Sequence, residues 1–288
     1  MKQLVVLSGK GGTGKTTVAA ALAHLASQER PTVLADADVD AANLELVLAP
    51  SKQEEHEFVG GQGAFVDRDL CIGCDTCRQV CRFDAVLVEE GVYRVDDTGC
   101  EGCAACFYQC PADAIEMRDR TSGLWFRSET PYGTLFHAHL FAGQENSGKL
   151  VSVVKQNALV WSVEQRTEYM IVDGPPGIGC PVIAACAGAQ LAVLVVEPTV
   201  SGIHDLGRVL ATTDHFQIPA AVIINKCDVN AARTDEIAAY CAEHELPLVG
   251  RIPFDTVVTE AMLAAQPVTA YSEGPIAREL AEVWSALA

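Results

Sequence analysis

Eight of the chain's twelve cysteines form two runs with the same spacing, and that spacing can hold metal clusters. Three thiolates at two-residue intervals can wrap one face of a [4Fe–4S] cubane. A fourth thiolate, three residues further on, points the other way and serves the second cluster. Such clusters carry single electrons. The expected ligand sets are Cys71, Cys74 and Cys77 with Cys110, and Cys100, Cys103 and Cys106 with Cys81.

Zinc and disulfides are the alternatives for so many cysteines. A zinc site normally uses two Cys-x2-Cys pairs with a longer spacer, whereas each run here has its own third and fourth cysteine. Disulfides belong mainly to small secreted proteins, and this chain has 288 residues. We expect no leader peptide, because the opening apolar run is short, and we expect a cytoplasmic location. The other cysteines are expected to be packing residues: Cys180, Cys186, Cys227 and Cys241.

A glycine-rich loop follows the first apolar run. Leu4–Leu7 reads as a strand, Ser8–Thr17 as the loop and Val18–Ala23 as the start of a helix, which is the context of a phosphate-binding loop. Backbone N–H groups and the helix N-terminus favour phosphate there. Lys15 should reach the β- and γ-phosphates, and the Thr16 hydroxyl should bind Mg²⁺. The expected phosphate contacts are Gly11, Gly12, Thr13, Gly14, Lys15, Thr16 and Thr17.

Lys10 gives the loop the form KGGTGKTT, which resembles the deviant phosphate loop of the MinD/ParA group of ATPases. That group includes the nitrogenase iron protein and the arsenite-pump ATPase. The resemblance implies that Lys10 reaches the partner's nucleotide across a homodimer, so that hydrolysis depends on ATP-driven dimerisation. The alternative is a surface lysine with a solvated ammonium. The implied catalytic residues are Lys10, Lys15 and Asp38.

Two further strands end in acids. In 32–38 the resemblance implies that Asp38 orients the attacking water and that Asp36 helps to set the magnesium shell. After the strand that begins at Tyr169, it implies that Asp173 binds Mg²⁺ through water and that the Gly177 N–H contacts the γ-phosphate. The alternative for the first pair is a capped strand end with solvated acids.

The chain between the glycine loop and Asp173 is longer than the uninterrupted fold of this group needs, and the cysteine block accounts for the excess. We therefore predict an ATPase domain at 1–66 and 118–288, with a two-cluster, ferredoxin-type α+β domain inserted at 67–117. Arg82 departs from the ferredoxin pattern, since the second run has Pro111 at the matching position. Beyond Asp173, strands and helices alternate, which predicts an α/β, doubly wound, mostly parallel sheet. The predicted strands are 191–196, 220–224 and 248–252, and the predicted helices are 205–216, 233–243, 256–265 and 275–284.

The sequence is less specific about which nucleotide base, adenine or guanine, the protein binds. Asn225-Lys226-Cys227-Asp228 is the string with which GTPases hold guanine, and it also occurs in MinD-like ATPases. There the asparagine contacts adenine, and a later segment, here Pro253-Phe254-Asp255, packs on the base. The deviant loop favours ATP, with GTP as the alternative.

A formal net charge of −18 argues against sequence-independent nucleic-acid binding. No stretch approaches the length of a membrane span, and the last helix lacks the Lys/Arg cluster that anionic lipid requires, so no stable membrane insertion is expected. His137 and His139 alternate along a probable strand; a structural or exposed pair is favoured over a metal site, because no acid or cysteine lies beside them. A buried thiol is favoured for Cys180, and 146–151 has no assigned role.

The resulting hypothesis is an ATP-dependent redox switch. ATP closes a homodimer, closure retunes the clusters, and hydrolysis resets the protein while an electron passes to a redox partner that the sequence does not identify. The alternatives are an iron-sulfur scaffold or carrier, and a MinD/ParA-type positioning ATPase with a redox-sensing insert. Similar sequences are sometimes labelled cobyrinic acid a,c-diamide synthase, but we do not expect that activity, because 288 residues leave no second catalytic domain for the glutaminase site that it needs.

Overall fold

The computed structural model describes residues 1–288, and these form two compact units. The first comprises Met1–His56, Trp125–His139 and Ser147–Ala288. The second comprises Glu57–Leu124 and Leu140–Asn146, and the cysteine block lies within it.

Eleven strands are present, and nine of them form one sheet in the order β11-β10-β9-β1-β8-β2-β7-β6-β3. The pairs of β1 with β8 and β9, of β2 with β7 and β8, and of β10 with β9 and β11 are parallel. This confirms the predicted doubly wound, mostly parallel α/β sheet. The strands are β1 (Lys2–Ser8), β2 (Thr32–Asp36), β3 (Ser51–Val66), β4 (Val86–Glu89), β5 (Val92–Val95), β6 (Ile115–Thr130), β7 (Gly133–Leu140), β8 (Tyr169–Pro176), β9 (Leu191–Val196), β10 (Ala220–Asn225) and β11 (Leu248–Ile252).

The central strands are buried on both faces, which is why they read as continuous apolar runs. Leu4–Leu7 is fully buried, and the alanine-rich helix α1 packs on the sheet in the same core. The helices are α1 (Lys15–Glu29), α2 (Leu44–Leu48), α3 (Thr76–Val80), α4 (Ala105–Gln109), α5 (Ser147–Gln165), α6 (Cys180–Cys186), α7 (Gly202–His215), α8 (Ala231–Glu243), α9 (Val257–Leu263), α10 (Val268–Tyr271) and α11 (Pro275–Leu287).

Two helix starts differ from the sequence prediction by more than one residue. Helix α7 begins at Gly202, three residues before the predicted Asp205, and a Cβ on that glycine would clash with the Glu197 carbonyl. A glycine disfavours helix, so the apolar pattern missed this first turn. Helix α8 begins at Ala231, after Asn230 accepts the Arg233 N–H at 3.1 Å.

The second unit repeats one backbone design. In each cysteine run a glycine in the left-handed region separates the first two cysteines, with φ 71° at Gly73 and 63° at Gly102. A second left-handed residue follows the second cysteine, and a five-residue helix, α3 or α4, then carries the third. Each helix ends at the fourth cysteine, with φ −74° at Cys81 and −73° at Cys110. The two runs are therefore a structural duplication as well as a sequence one.

Strands β4 and β5 pair antiparallel as a hairpin between the two runs. Its turn is formed by Glu90 and Gly91, both with positive φ, as the tight hairpin turns require. None of the helices combines the length and apolar character that crossing a lipid bilayer would demand.

Candidate functional site

A cleft of about 690 Å³ lies in the first unit, where the phosphate loop meets the ends of the parallel strands. Ligands bind at this carboxyl edge in doubly wound folds. The cleft is lined by most of the predicted nucleotide contacts: Gly11, Gly12, Gly14, Lys15, Thr16, Thr17, Asp38, Asn225, Lys226, Pro253, Phe254 and Asp255. The other predicted residues of the site are not part of this lining: Lys10, Thr13, Asp36, Asp173 and Gly177.

The conformation of the phosphate loop depends on its glycines and on the side-chain amide of Asn225. Gly12 and Gly14 have φ of 79° and 92°, in the left-handed region that favours glycine. No atom lies within 4 Å of where a Cβ would stand on Gly11 or Gly12, so these backbones border free space. Asn225 donates its side-chain N–H to the Thr13 carbonyl at 2.8 Å and occupies the place of a Gly14 Cβ. Asn225, which also lines the cleft, thus supports the loop.

Asp173 is fully buried; the Thr16 hydroxyl lies beside its carboxylate, but neither oxygen accepts a hydrogen bond of normal geometry. Burial raises its pKa to about 7, while the Thr16 hydroxyl and the Lys15 ammonium oppose the rise. An unpartnered buried carboxylate is costly, and a hard cation bound through oxygen would relieve that cost. Together with the neighbouring Thr16, this arrangement fits Mg²⁺.

Asp36 is the cross-strand neighbour of Asp173, and its side chain is also fully buried. Burial and the Asp173 charge raise its pKa well above the usual range. Its two oxygens accept the backbone N–H groups of Asp38 at 3.1 Å and Leu44 at 3.0 Å. Asp36 therefore ties both ends of the 38–44 loop to β2. That loop carries Asp38, half-buried, into the cleft, where burial raises its pKa and Lys15 opposes the rise.

Lys10 is turned away from the cleft of its own chain. Its ammonium donates to the Thr199 hydroxyl at 2.9 Å and lies 3.8 Å from the Glu197 carboxylate. Glu197 also pairs with Lys226, whose ammonium lies 3.4 Å from the Gly12 carbonyl. No role was predicted for Glu197, which lies directly after the buried strand β9.

Asp228 holds the segment Pro253-Phe254-Asp255, which is expected to contact the nucleotide base. The Asp228 carboxylate accepts the Phe254 N–H at 2.7 Å, and Asp228 does not line the cleft. The Phe254 side chain is 57% exposed and borders the cleft. Because Asp228 does not line the cleft, its carboxylate is not presented to a base bound there, whereas the Phe254 ring is available for stacking.

The second unit contains two small cavities, each lined by four cysteines. The first is lined by Cys71, Cys74, Cys77 and Cys110. The second is lined by Cys81, Cys100, Cys103 and Cys106. Each cavity thus brings three cysteines of one run together with the last cysteine of the other.

The cysteine sulfurs are spaced more widely than in a zinc site. Among all His, Cys, Asp and Glu side chains, only the set Glu45, His137 and His139 has three ligand atoms within 4.8 Å of one another. Tetrahedral zinc with bonds of about 2.3 Å would hold its sulfurs roughly 3.8 Å apart. No three cysteine sulfurs are therefore as close together as a bound zinc ion would hold them.

One sequence expectation is wrong, and the premise of another is corrected. Cys180, at the start of α6, is exposed rather than buried, as are Ile178 and Gly179 just before it. His137 and His139 do have an acid beside them: Glu45 lies 3.1 Å from His137 Nδ1 and 3.0 Å from His139 Nε2. The sequence concealed this contact because Glu45 comes from α2, far from β7 along the chain. The stretch 146–151 includes the start of α5, and Asn146 donates to the Gly60 carbonyl at 3.1 Å.

Comparison with known proteins agrees with this geometry. Residues 4–268 match the family model described as the CobQ/CobB/MinD/ParA nucleotide binding domain. The chain is 32% identical over 228 residues to an uncharacterized protein of Methanocaldococcus jannaschii, covering 79% of each chain. It is 24% identical over 270 residues to the septum site-determining protein MinD of Synechocystis, covering 92% of this chain and 80% of that one.

Among solved structures, the fold resembles MinD of Pyrococcus horikoshii in complex with Mg-ADP. The TM-score is 0.63 at 19% identity, over 99% of this chain and 95% of the other. The predicted MinD/ParA resemblance is thereby confirmed at the level of family and fold. Because the family model covers nearly the whole chain, the protein belongs to the CobQ/CobB/MinD/ParA nucleotide-binding domain family.

Proposed function

We propose that the protein binds and hydrolyses MgATP as a nucleotide-dependent homodimer, and that it carries two [4Fe–4S] clusters whose electron transfer is coupled to hydrolysis. Family membership supports the ATPase part of this proposal. The observation that carries the redox part is the grouping of the cysteines, since each cavity collects all four members of one expected ligand set.

The nucleotide chemistry follows from the cleft. The backbone N–H groups of the phosphate loop and the Lys15 ammonium would bind the phosphate oxygens. Thr16 would hold Mg²⁺ directly and Asp173 through water, and the ion would neutralise charge on the β- and γ-phosphates. Asp38 lines the same cleft and can accept a hydrogen bond from the attacking water. Asp36 has an indirect role, because it holds in place the loop on which Asp38 lies.

Dimerisation would add the Lys10 ammonium of one chain to the nucleotide cleft of the other. Lys10 lies outside its own cleft, so its ammonium does not add to the positive charge that Lys15 and Mg²⁺ would supply there. Lys10 of a second copy would add to that charge, provided that it leaves Thr199 and Glu197 when the two chains close. Such a charge supplied by a partner typically accelerates phosphoryl transfer by about 10³- to 10⁵-fold. Fast hydrolysis would then occur only after the dimer has formed.

ATP is preferred over GTP. The Asp228 carboxylate, the acceptor that guanine recognition needs, accepts the Phe254 N–H through one oxygen and does not line the cleft. Adenine would stack on Phe254 without requiring that acceptor. A competition assay in which GTP displaced bound ATP would reverse this choice.

The cysteine cavities support resident clusters. Cys77 and Cys100 are buried in a small core with Ala64, Val86 and Ile115, so clusters there would be shielded from water on that side. When bound, each cluster would accept and release one electron at a time between a donor protein and an acceptor protein. Interlocked ligand sets favour stable retention over delivery of a cluster to another protein. A positioning ATPase with redox-sensing clusters is the second candidate, because the relatives include MinD proteins.

Anaerobic reconstitution with iron and sulfide tests the proposal. We expect about eight iron atoms and eight sulfides per chain, four for each cluster. We also expect ATP hydrolysis that rises more than linearly with protein concentration, because two chains form each active unit. The Lys15→Ala variant is the control, since it should retain iron and lose hydrolysis. Protein that takes up zinc but refuses iron and sulfide would contradict the redox part and leave the ATPase part standing.

A further inference from the structure

The carboxyl end of β7 holds a cluster of ligating side chains that the nucleotide and cysteine chemistry does not use. Glu45 on α2 lies between His137 and His139, with one carboxylate oxygen 3.1 Å from His137 Nδ1 and the other 3.0 Å from His139 Nε2. One ligand atom from each residue lies within 4.8 Å of the other two. We propose that Glu45, His137 and His139 bind a divalent transition-metal ion, with Zn²⁺ as the natural occupant.

His137 points a free nitrogen into this cluster. Its side chain is only 1% exposed, and its Nδ1 has no hydrogen-bond partner. The Glu45 oxygen is close to Nδ1 but lies off the direction of a hydrogen bond from the ring. A buried, unpartnered ring nitrogen carries a desolvation cost, and a metal ion would remove it. This is the observation that distinguishes the cluster from an ordinary pair of histidines beside an acid.

The surroundings hold the histidine rings in place for metal binding. The Ser128 hydroxyl, fully buried, lies 2.9 Å from His137 Nε2 and so fixes the second nitrogen of that ring. Histidines that bind metals nearly always have such a partner on the other nitrogen. The Phe126 ring packs at 5.0 Å from the His137 ring and at 5.5 Å from the His139 ring.

The donor set indicates the class of metal. Two imidazoles and one carboxylate bind zinc and the later first-row divalent ions, whereas Mg²⁺ and Ca²⁺ prefer oxygen ligands alone. His139 is 43% exposed, so the site is open to solvent and leaves a position for water. The Lys52 ammonium lies over the Phe126 ring at 3.7 Å and opposes a bound cation, although Glu55 partly balances it at 3.5 Å.

The position of the site relates it to the 38–44 loop. Glu45 directly follows Leu44, whose backbone N–H donates to Asp36. Since β7 pairs with β2, a metal ion that holds Glu45 against β7 also restrains the end of this loop. The site is nevertheless distinct from the magnesium position expected beside Thr16 and Asp173.

Cobalt titration of the anaerobic full-length protein tests the proposal. The probe is Co²⁺, because thiolate–cobalt charge-transfer bands separate any cysteine binding from binding by histidine and carboxylate. His139→Ala and Glu45→Gln each remove one ligand. His56→Ala is the matched control, because His56 lies 3.4 Å from Glu54 in a similar pair without a second histidine. Urea unfolding of each variant checks that it is folded, and the partly exposed His139 tolerates substitution most easily.

We expect the wild type and His56→Ala to bind about one equivalent more Co²⁺ than the two ligand variants. The affinity for that equivalent should fall at least tenfold in His139→Ala and in Glu45→Gln. The difference spectrum should contain tetrahedral or five-coordinate cobalt bands without a thiolate band, and Zn²⁺ should displace them. Equal cobalt binding by all four proteins, or a difference spectrum dominated by thiolate, would overturn the proposal.

Discussion

Lys10 donates a hydrogen bond to the Thr199 hydroxyl at 2.9 Å within the same chain. The contact holds the lysine outside the nucleotide cleft, beside Glu197. A lysine needed only for binding nucleotide in its own chain would line that cleft, as Lys15 does. The proposal that Lys10 acts across a dimer rests on this placement outside its own cleft.

Lys10→Ala should leave nucleotide affinity within about threefold of the wild type and lower kcat by about 10³-fold or more, because only the charge supplied to the partner is lost. Equilibrium binding of a fluorescent ATP analogue and steady-state hydrolysis measure the two quantities. Lys15→Ala is the contrasting variant, since it should abolish binding. Normal turnover by Lys10→Ala would remove the cross-dimer mechanism.

The ligand sets can be tested by pairing substitutions across the two runs. Cys71→Ser and Cys110→Ser should each remove about four irons per chain and affect the same cluster, although these cysteines belong to different runs. The double variant should then lose no more iron than either single variant. Cys180→Ser is the control, because Cys180 is exposed and lies in neither cavity. Additive iron loss in the double variant would refute the crossed assignment.

Asp36→Ala should destabilise the protein by about 2 kcal/mol. The substitution leaves the buried N–H of Leu44 and that of Asp38 without their acceptor, while it relieves repulsion with Asp173. The released 38–44 loop should also raise KM for ATP. Asp40→Ala is the control for stability alone, because Asp40 is exposed in the same loop but lines the nucleotide cleft. Urea unfolding curves that coincide for Asp36→Ala and the wild type would contradict the tethering role.

The fold and the phosphate loop could be predicted from the sequence because local residues determine them. The apolar run Leu4–Leu7, the glycines of the loop and the alanines of α1 act on their immediate neighbours. Contacts made by Glu45, Lys155 and Glu197 were not predictable, because their partners are distant in sequence and meet only when helices pack on the sheet. The first turn of α7 was missed because it begins with Gly202, a residue type that disfavours helices. A larger residue at this position would place its Cβ against the Glu197 carbonyl.

Lys155 makes such a long-range contact, and its titration makes the free energy of unfolding depend on pH. Its buried ammonium donates to the carbonyls of Ala185 and Ala187 at the end of α6, and burial lowers its pKa to about 8. Between pH 8 and its ordinary pKa of 10.5, the unfolded chain binds more protons than the folded one. The free energy of unfolding contributed by this group therefore rises with pH over that window, by on the order of 3 kcal/mol.

The Lys155→Met variant isolates this effect from the cysteine and tyrosine titrations in the same range. We expect the wild type to gain stability relative to Lys155→Met as the pH is raised from 8 to 10, measured by urea unfolding of the reduced, metal-free chain. A difference that is constant across the range would mean that the Lys155 pKa is not lowered in the folded protein.

The central claim is that nucleotide state and cluster redox state influence each other. The most direct test measures the cluster midpoint potentials of the reconstituted protein with MgADP and with a non-hydrolysable MgATP analogue. Linkage predicts a potential shift of about 60 mV for each tenfold difference in nucleotide affinity between the oxidised and reduced protein, together with an ATPase rate that changes on reduction. Midpoint potentials that are identical with both nucleotides, and an ATPase rate unaffected by reduction, would contradict the account.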